Sequence, residues 1–141
     1  MINISIKFKD YPTSVKMGIS FLIAAWISHY FYFLKFLMSD FPLKTLYLQL
    51  GIGVSICYFV ASINKWARSL CIFFNFAIIV LYLLIFYLHF SQNKYDLTFI
   101  AALIAVLFSI STYFLAGKES SQYFKTYNET DEDRESSDNK N

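Results

Sequence analysis

The chain has 141 residues, 57% hydrophobic and 16% charged, with a mean hydropathy of +0.45 and a formal net charge of +2. That length allows one domain, and the absence of a basic patch outside the flanks of the apolar stretches excludes a nucleic-acid partner. The charges are gathered at a few places, so that Met17–Leu34, Thr45–Asn64, Ser69–Asn93 and Leu97–Gly117 carry none over 18, 20, 25 and 21 residues. 

A helix needs about 20 apolar residues to span the hydrocarbon core, and buried helices of a soluble protein would show a charged face that these stretches lack. The sequence therefore predicts an all-α membrane protein, an antiparallel bundle of four transmembrane helices over residues 14–117. Its partner is first of all the lipid bilayer.

In chain order, residues 2–9 alternate, with Ile2, Ile4, Ile6 and Phe8 against Asn3, Ser5, Lys7 and Lys9. Period two is strand periodicity. Without a neighbouring strand the segment reads as extended chain on the membrane surface, and otherwise as a strand added to a partner's sheet edge. Tyr11-Pro12-Thr13-Ser14 is a helix start with Thr13 or Ser14 as N-cap. The first span covers about 14–38 and lets Lys35 snorkel. It is too long and too aromatic for a secretory signal, and no small-x-small site follows it. Ser39 or Asp40 caps the second span, about 41–64, with Pro42 in its first turn. Lys65-Trp66-Ala67-Arg68 is a tight connection with Trp66 at headgroup level. The third span covers about 69–90 and the fourth about 97–116, with Asp96 as its cap and Gly117 as its C′ residue. 

Residues 118–141 hold seven acids against four bases and read as a disordered cytoplasmic tail. Tyr123, Phe124 and Tyr127 are placed to hold its first turn or two against the membrane.

Lys and Arg fix the orientation. The N-terminal segment 1–13, the start of the first span, the Lys65–Arg68 connection and the tail together carry nine, whereas the other side carries Lys35, Lys44 and Lys94. Both ends are expected in the cytoplasm, with Lys65, Trp66 and Arg68 as topology-setting residues.

Unrolled at about 100° per residue, each span shows one stripe of small or polar residues. In the first it is Gly18, Ala25, Ser28, His29 and Tyr32; in the second Gly51, Ser55, Tyr58 and Ser62. In the third it is Cys71, Asn75, Tyr82 and His89; in the fourth Thr98, Ala101, Ala105, Ser109, Thr112 and Ala116. Small residues let helices approach closely in lipid and buried polar groups bond across them, so the stripes are expected to face inward.

Chemistry would need more than this. No Asp, Glu, Lys or Arg stands in mid-span, where such residues mark proton and ion paths. His29 reads as a hydrogen-bonded bundle residue and His89 as an interfacial one, and two histidines are too few for a zinc site. Cys57 and Cys71 form no C-x-x-C pair and read as packing residues. No metal, cofactor or catalytic group is expected.

Pro12-Thr13-Ser14-Val15-Lys16 before the first span and Asn64-Lys65-Trp66-Ala67-Arg68 before the third resemble a broad group of small, largely uncharacterised bacterial four-span membrane proteins. In that group a Pro-x-Ser-Val motif precedes the first helix and an Asn-Trp-Ala-Arg-like motif the third. The resemblance covers roughly residues 11–117 and implies the fold and a bacterial inner membrane, not an activity. The inserted Lys65 and the long acidic tail depart from that pattern. 

The expected function is contact without catalysis, as an accessory subunit, an envelope-stress factor or an immunity-type protein, with the acidic tail as a handle for a partner. The alternative is a small, possibly oligomeric channel or transporter lined by the Ser, Thr, Asn and Tyr side chains.

Overall fold

The computed structural model describes residues 11–36, 43–63 and 65–127. Within them the chain is helical: α1 (Thr13–Phe36), α2 (Leu43–Ala61), α3 (Lys65–Ser91), α4 (Tyr95–Ala116) and α5 (118–127). The alternating segment at residues 2–9, the Ser39/Asp40 cap with Pro42, Asn64 and the acidic run 131–135 lie outside the described residues.

Three helices are long and apolar enough to cross a membrane: Thr13–Lys35, Trp66–Ser91 and Tyr95–Ala116. The 27 residues of α3 extend over roughly 40 Å at 1.5 Å per residue, more than the ~30 Å hydrocarbon core. Their outward faces present Phe73, Phe76, Leu84, Phe99 and Tyr113 in the open. A continuous apolar surface of that kind marks contact with lipid rather than water. The described part of α2 has a shorter apolar stretch, Tyr47–Ala61.

α4 is the hub, packing most extensively against α3 and α1, while α2 touches α1 and α3 more sparsely. Gly18 and Phe21 of α1 meet Leu115 and Phe114 of α4, and Trp26 meets Phe108, so these two helices run in opposite senses. Gly18 sets their separation. A Cβ there would stand 2.9 Å from the Leu115 side chain, and the Ser111 hydroxyl donates to the Gly18 carbonyl at 3.0 Å. The core is filled by Val15, Ile19, Leu22, Tyr82, Ile104, Phe108 and Leu115.

The helix ends correct several expectations. α1 begins at Thr13, with the Pro12 carbonyl accepting from the Lys16 N–H at 3.0 Å, while the Ser14 hydroxyl caps nothing. α3 begins at Lys65, so Lys65, Trp66 and Arg68 form its first turn rather than a connection. Asp96 does not cap α4. Lys94 is the cap residue, without a side-chain bond, and Asp96 lies in the first turn, where its charge suits the positive end of the helix dipole. 

α3 closes with Asn93 at φ 56°, its N–H donating to the Phe90 carbonyl and that of Lys94 to the His89 carbonyl, the paired bonds of a Schellman motif. α2 closes on Ile63, also left-handed at φ 59°, with its N–H donating to the Val60 carbonyl at 3.0 Å. A β-branched residue in that region costs about 1–2 kcal/mol, offset by burial of its side chain, worth about 1.5–3 kcal/mol. 

Gly117 has φ −56° and ψ 152°, not the left-handed C′ conformation. Its carbonyl accepts from the Ser121 N–H at 2.9 Å, so it ends α4 and starts α5. Residues 118–127 are thus helix rather than disordered tail, with Ser120 and Phe124 fully buried.

Candidate functional site

The interior receives part of each expected stripe. Gly18, Ala25 and His29 of α1, Asn75, Tyr82 and Cys71 of α3, and Thr98, Ala101 and Ala105 of α4 are buried; Ser28 and Thr112 are half-buried. The α2 stripe is placed otherwise, since Gly51, Ser55 and Tyr58 are exposed and Gly53, Ile56, Val60 and Ile63 face in. Glycines two residues apart on a helix stand on nearly opposite faces, and Trp26 decides between them. A Cβ on Gly53 would lie 2.6 Å from the indole ring, while one on Gly51 would meet nothing within 4 Å. 

Ser109 and Ala116 are also exposed. The Ser109 hydroxyl donates to the Ala105 carbonyl at 2.8 Å, and a serine that bonds its own helix needs no neighbour. Ser111, outside the expected stripe, is the buried serine that joins α4 to α1.

Two histidine–tyrosine pairs join α1 to α3. His29 Nδ1 and the Tyr82 hydroxyl share a 2.9 Å hydrogen bond, and the Tyr32 hydroxyl and His89 Nε2 share one of 2.8 Å. The two tyrosine rings pack edge to face at 5.6 Å. Two turns away along the same face of α3, Asn75 Nδ2 donates to Thr112 Oγ1 at 3.1 Å, and the Thr112 hydroxyl donates to the Phe108 carbonyl at 2.8 Å. The polar groups of the interior are spent largely on one another. Each histidine takes a tyrosine, and among the described residues no three His, Cys, Asp or Glu side chains gather as a metal site.

Beneath these pairs, α3, α4 and α5 are tied at one end. Arg68 Nη1 donates to the Leu115 carbonyl at 3.2 Å, and the guanidinium lies 5.7 Å from the centre of the Phe124 ring. Leu115 stands in the last turn of α4, whose carbonyls have no partner within the helix, so Arg68 completes an end that Gly117 leaves open. Tyr11 closes the same side: its hydroxyl donates to the Ala61 carbonyl at 2.9 Å, and its ring lies 5.9 Å from that of Tyr123.

Two grooves flank α2. The one toward α1 has about 480 Å³ and is walled by Ile23, Ile27, Leu50 and Val54, with Trp26, His29, Gln49 and Cys57 also on it. The one toward α3 has about 420 Å³ and is bordered by Gly51, Ser55, Phe59, Trp66 and Leu70. Two polar atoms of the first groove's lining residues, the Trp26 indole N–H and the Gln49 side-chain oxygen, are buried without a hydrogen-bond partner. 

Comparison with protein-family models, with curated proteins and with solved structures gave no match.

Proposed function

We propose that this chain is a four-span protein of a bacterial inner membrane, both ends in the cytoplasm, that acts by contact with another membrane-spanning helix and not by catalysis. The observation that carries this reading is the outward placement of Gly51, Ser55 and Tyr58 on α2. Lipid gains nothing from small and hydroxyl-bearing residues, whereas a helix laid against them gains close approach and hydrogen bonds. The groove beside Gly51 and Ser55, toward α3, offers a ridge of a partner helix somewhere to seat. α2 also has the sparsest packing of the four longer helices, which leaves the most of its surface for another chain. The fourth crossing rests on α2's 19 residues, about 28 Å of helix at 1.5 Å per residue. The motifs at residues 12–16 and 64–68 support the bacterial inner membrane and the excess of Lys and Arg supports the orientation. The acidic run beyond residue 128 remains a second handle for a soluble partner.

A channel or transporter is less well supported, because the interior hydroxyl, amide and imidazole groups bond to each other rather than line an open path. The test is photo-crosslinking in native membranes from a probe at Ser55, with Leu83 on the lipid face of α3 as control. A discrete adduct from Ser55 and none from Leu83 is expected; equal yields at the two positions, or none at either, would sink the contact reading.

A further inference from the structure

Cations from three helices gather around Leu115 at one end of the bundle, and we propose that this rim binds the phosphate of acidic phospholipids in preference to zwitterionic ones. A Cβ on Gly18 of α1 would stand 2.9 Å from the Leu115 side chain, and Arg68 of α3 donates to the Leu115 carbonyl at 3.2 Å. Because α1 and α4 run in opposite senses, Lys16, two residues before Gly18, and Lys118, three after Leu115, both lie within one turn of that level.

Arg68 spends its bond on a neutral carbonyl and rests on the Phe124 ring, so its charge stays available to an anion. Lys118 is exposed at the start of α5, and Lys125, seven residues on, lies two turns along the same face. Among the described residues Glu119 is the one acid at this end, since Asp96 stands in the first turn of α4 at the other. 

Depth names the occupant. Trp66, two residues before Arg68, and Tyr113, two before Leu115, are both exposed, and amphipathic rings of this kind sit at headgroup level. The anions at that depth are lipid phosphates. A zwitterionic headgroup balances its phosphate with its own ammonium, whereas an acidic lipid leaves the charge to the protein. Each Lys or Arg near such a surface strengthens binding about fivefold. The rim is built by α1, α3, α4 and α5 and does not depend on what docks on α2.

The full chain would be reconstituted into vesicles of phosphatidylcholine and phosphatidylglycerol, with one lipid or the other brominated on its acyl chains. Bromine quenches nearby tryptophan, and the part of the quenching that disappears in Trp66→Phe reports the lipid at this rim. At low salt the rim is expected to prefer phosphatidylglycerol about fivefold or more, falling toward parity at about 1 M salt, where the screening length is about 3 Å. Arg68→Gln and Lys118→Gln should each lower the preference. Arg68→Lys, which retains the charge, should keep it, and Lys94→Gln at the far end should leave it unchanged. Parity at low salt in the unsubstituted chain would overturn the proposal. So would a preference that resists salt, or one that falls as far in Lys94→Gln as in Lys118→Gln.

Discussion

The two glycines Gly18 and Gly51 make a matched test of how the helices pack. Each stands inside a helix, so replacing either with Ala removes the backbone-entropy penalty of glycine, worth about 0.8–1 kcal/mol. For Gly51 nothing opposes that gain, because a Cβ there meets no atom within 4 Å; Gly51→Ala should stabilise by up to about 1 kcal/mol. For Gly18 the same methyl would stand 2.9 Å from two carbons of Leu115 and 3.4 Å from its backbone nitrogen. Leu115 is fully buried and cannot swing away. Overpacking of this kind costs about 1–3 kcal/mol, so after the propensity gain Gly18→Ala should destabilise by up to about 2 kcal/mol. The two variants should therefore differ by roughly 1–3 kcal/mol in opposite directions about the parent. Thermal aggregation in one detergent, followed side by side, measures the order. If Gly18→Ala is at least as stable as Gly51→Ala, α1 and α4 do not meet at Gly18 and the packing described for them is wrong.

Reporter fusions should read as external at Lys94 and cytoplasmic at Lys118; an external signal at Lys118 would end the even-span topology. Burial, and then the neighbouring Tyr123 and Tyr127, raise the Tyr11 pKa above its ordinary value. Its contribution to stability is thus complete below the ordinary tyrosine pKa and lost as pH rises through the raised one. Tyr11→Phe should cost about 1 kcal/mol at neutral pH, a deficit that shrinks in alkali when melting is followed against pH; a constant deficit would contradict the assignment. Phe124→Ala should destabilise by about 3 kcal/mol, whereas removal of residues 128–141 should leave melting unchanged because that stretch carries no apolar side chain to bury. Equal melting of Phe124→Ala and the parent would show that α5 does not dock.

How far the sequence could be read depended on whether side-chain size or side-chain polarity did the sorting. On α3 the two agree: Asn75 and Tyr82 face in, while Phe73, Phe76 and Leu83 face out. On α2 they disagree, since Gly51 and Gly53 are equally small and stand on opposite faces. The choice is made by Trp26 on another helix, which no periodicity within α2 records. On α4, hydroxyls divide: Ser109 satisfies itself on the preceding turn and lies exposed, Thr112 does the same yet still accepts from Asn75, and Ser111, off the stripe, donates to another helix. α5 had a signal that overall composition hides. Ser120, Tyr123, Phe124 and Tyr127 are spaced three, four and seven apart, the spacing of an amphipathic helix, but averaging over the acidic residues that follow makes the whole segment look unable to fold.

Arg68 shows why the positive-inside pattern and the packing belong together. Read along the chain, it is one of several cations expected to hold their flank on the cytoplasmic side. In the fold it sits in the first turn of α3, where the helix dipole disfavours positive charge. The same side chain reaches the last turn of α4, where unpaired carbonyls give the dipole its negative end and favour a cation. The reversal of direction between α3 and α4 supplies this compensation, because it brings one helix's N-terminus level with the next one's C-terminus. Phe124 then covers the guanidinium from α5, a contact that a compact ammonium makes less well than a planar cation. A residue legible in the sequence as a marker of orientation is therefore also the tie between three helices. That second role became visible only once the partner carbonyl and the covering ring were in place.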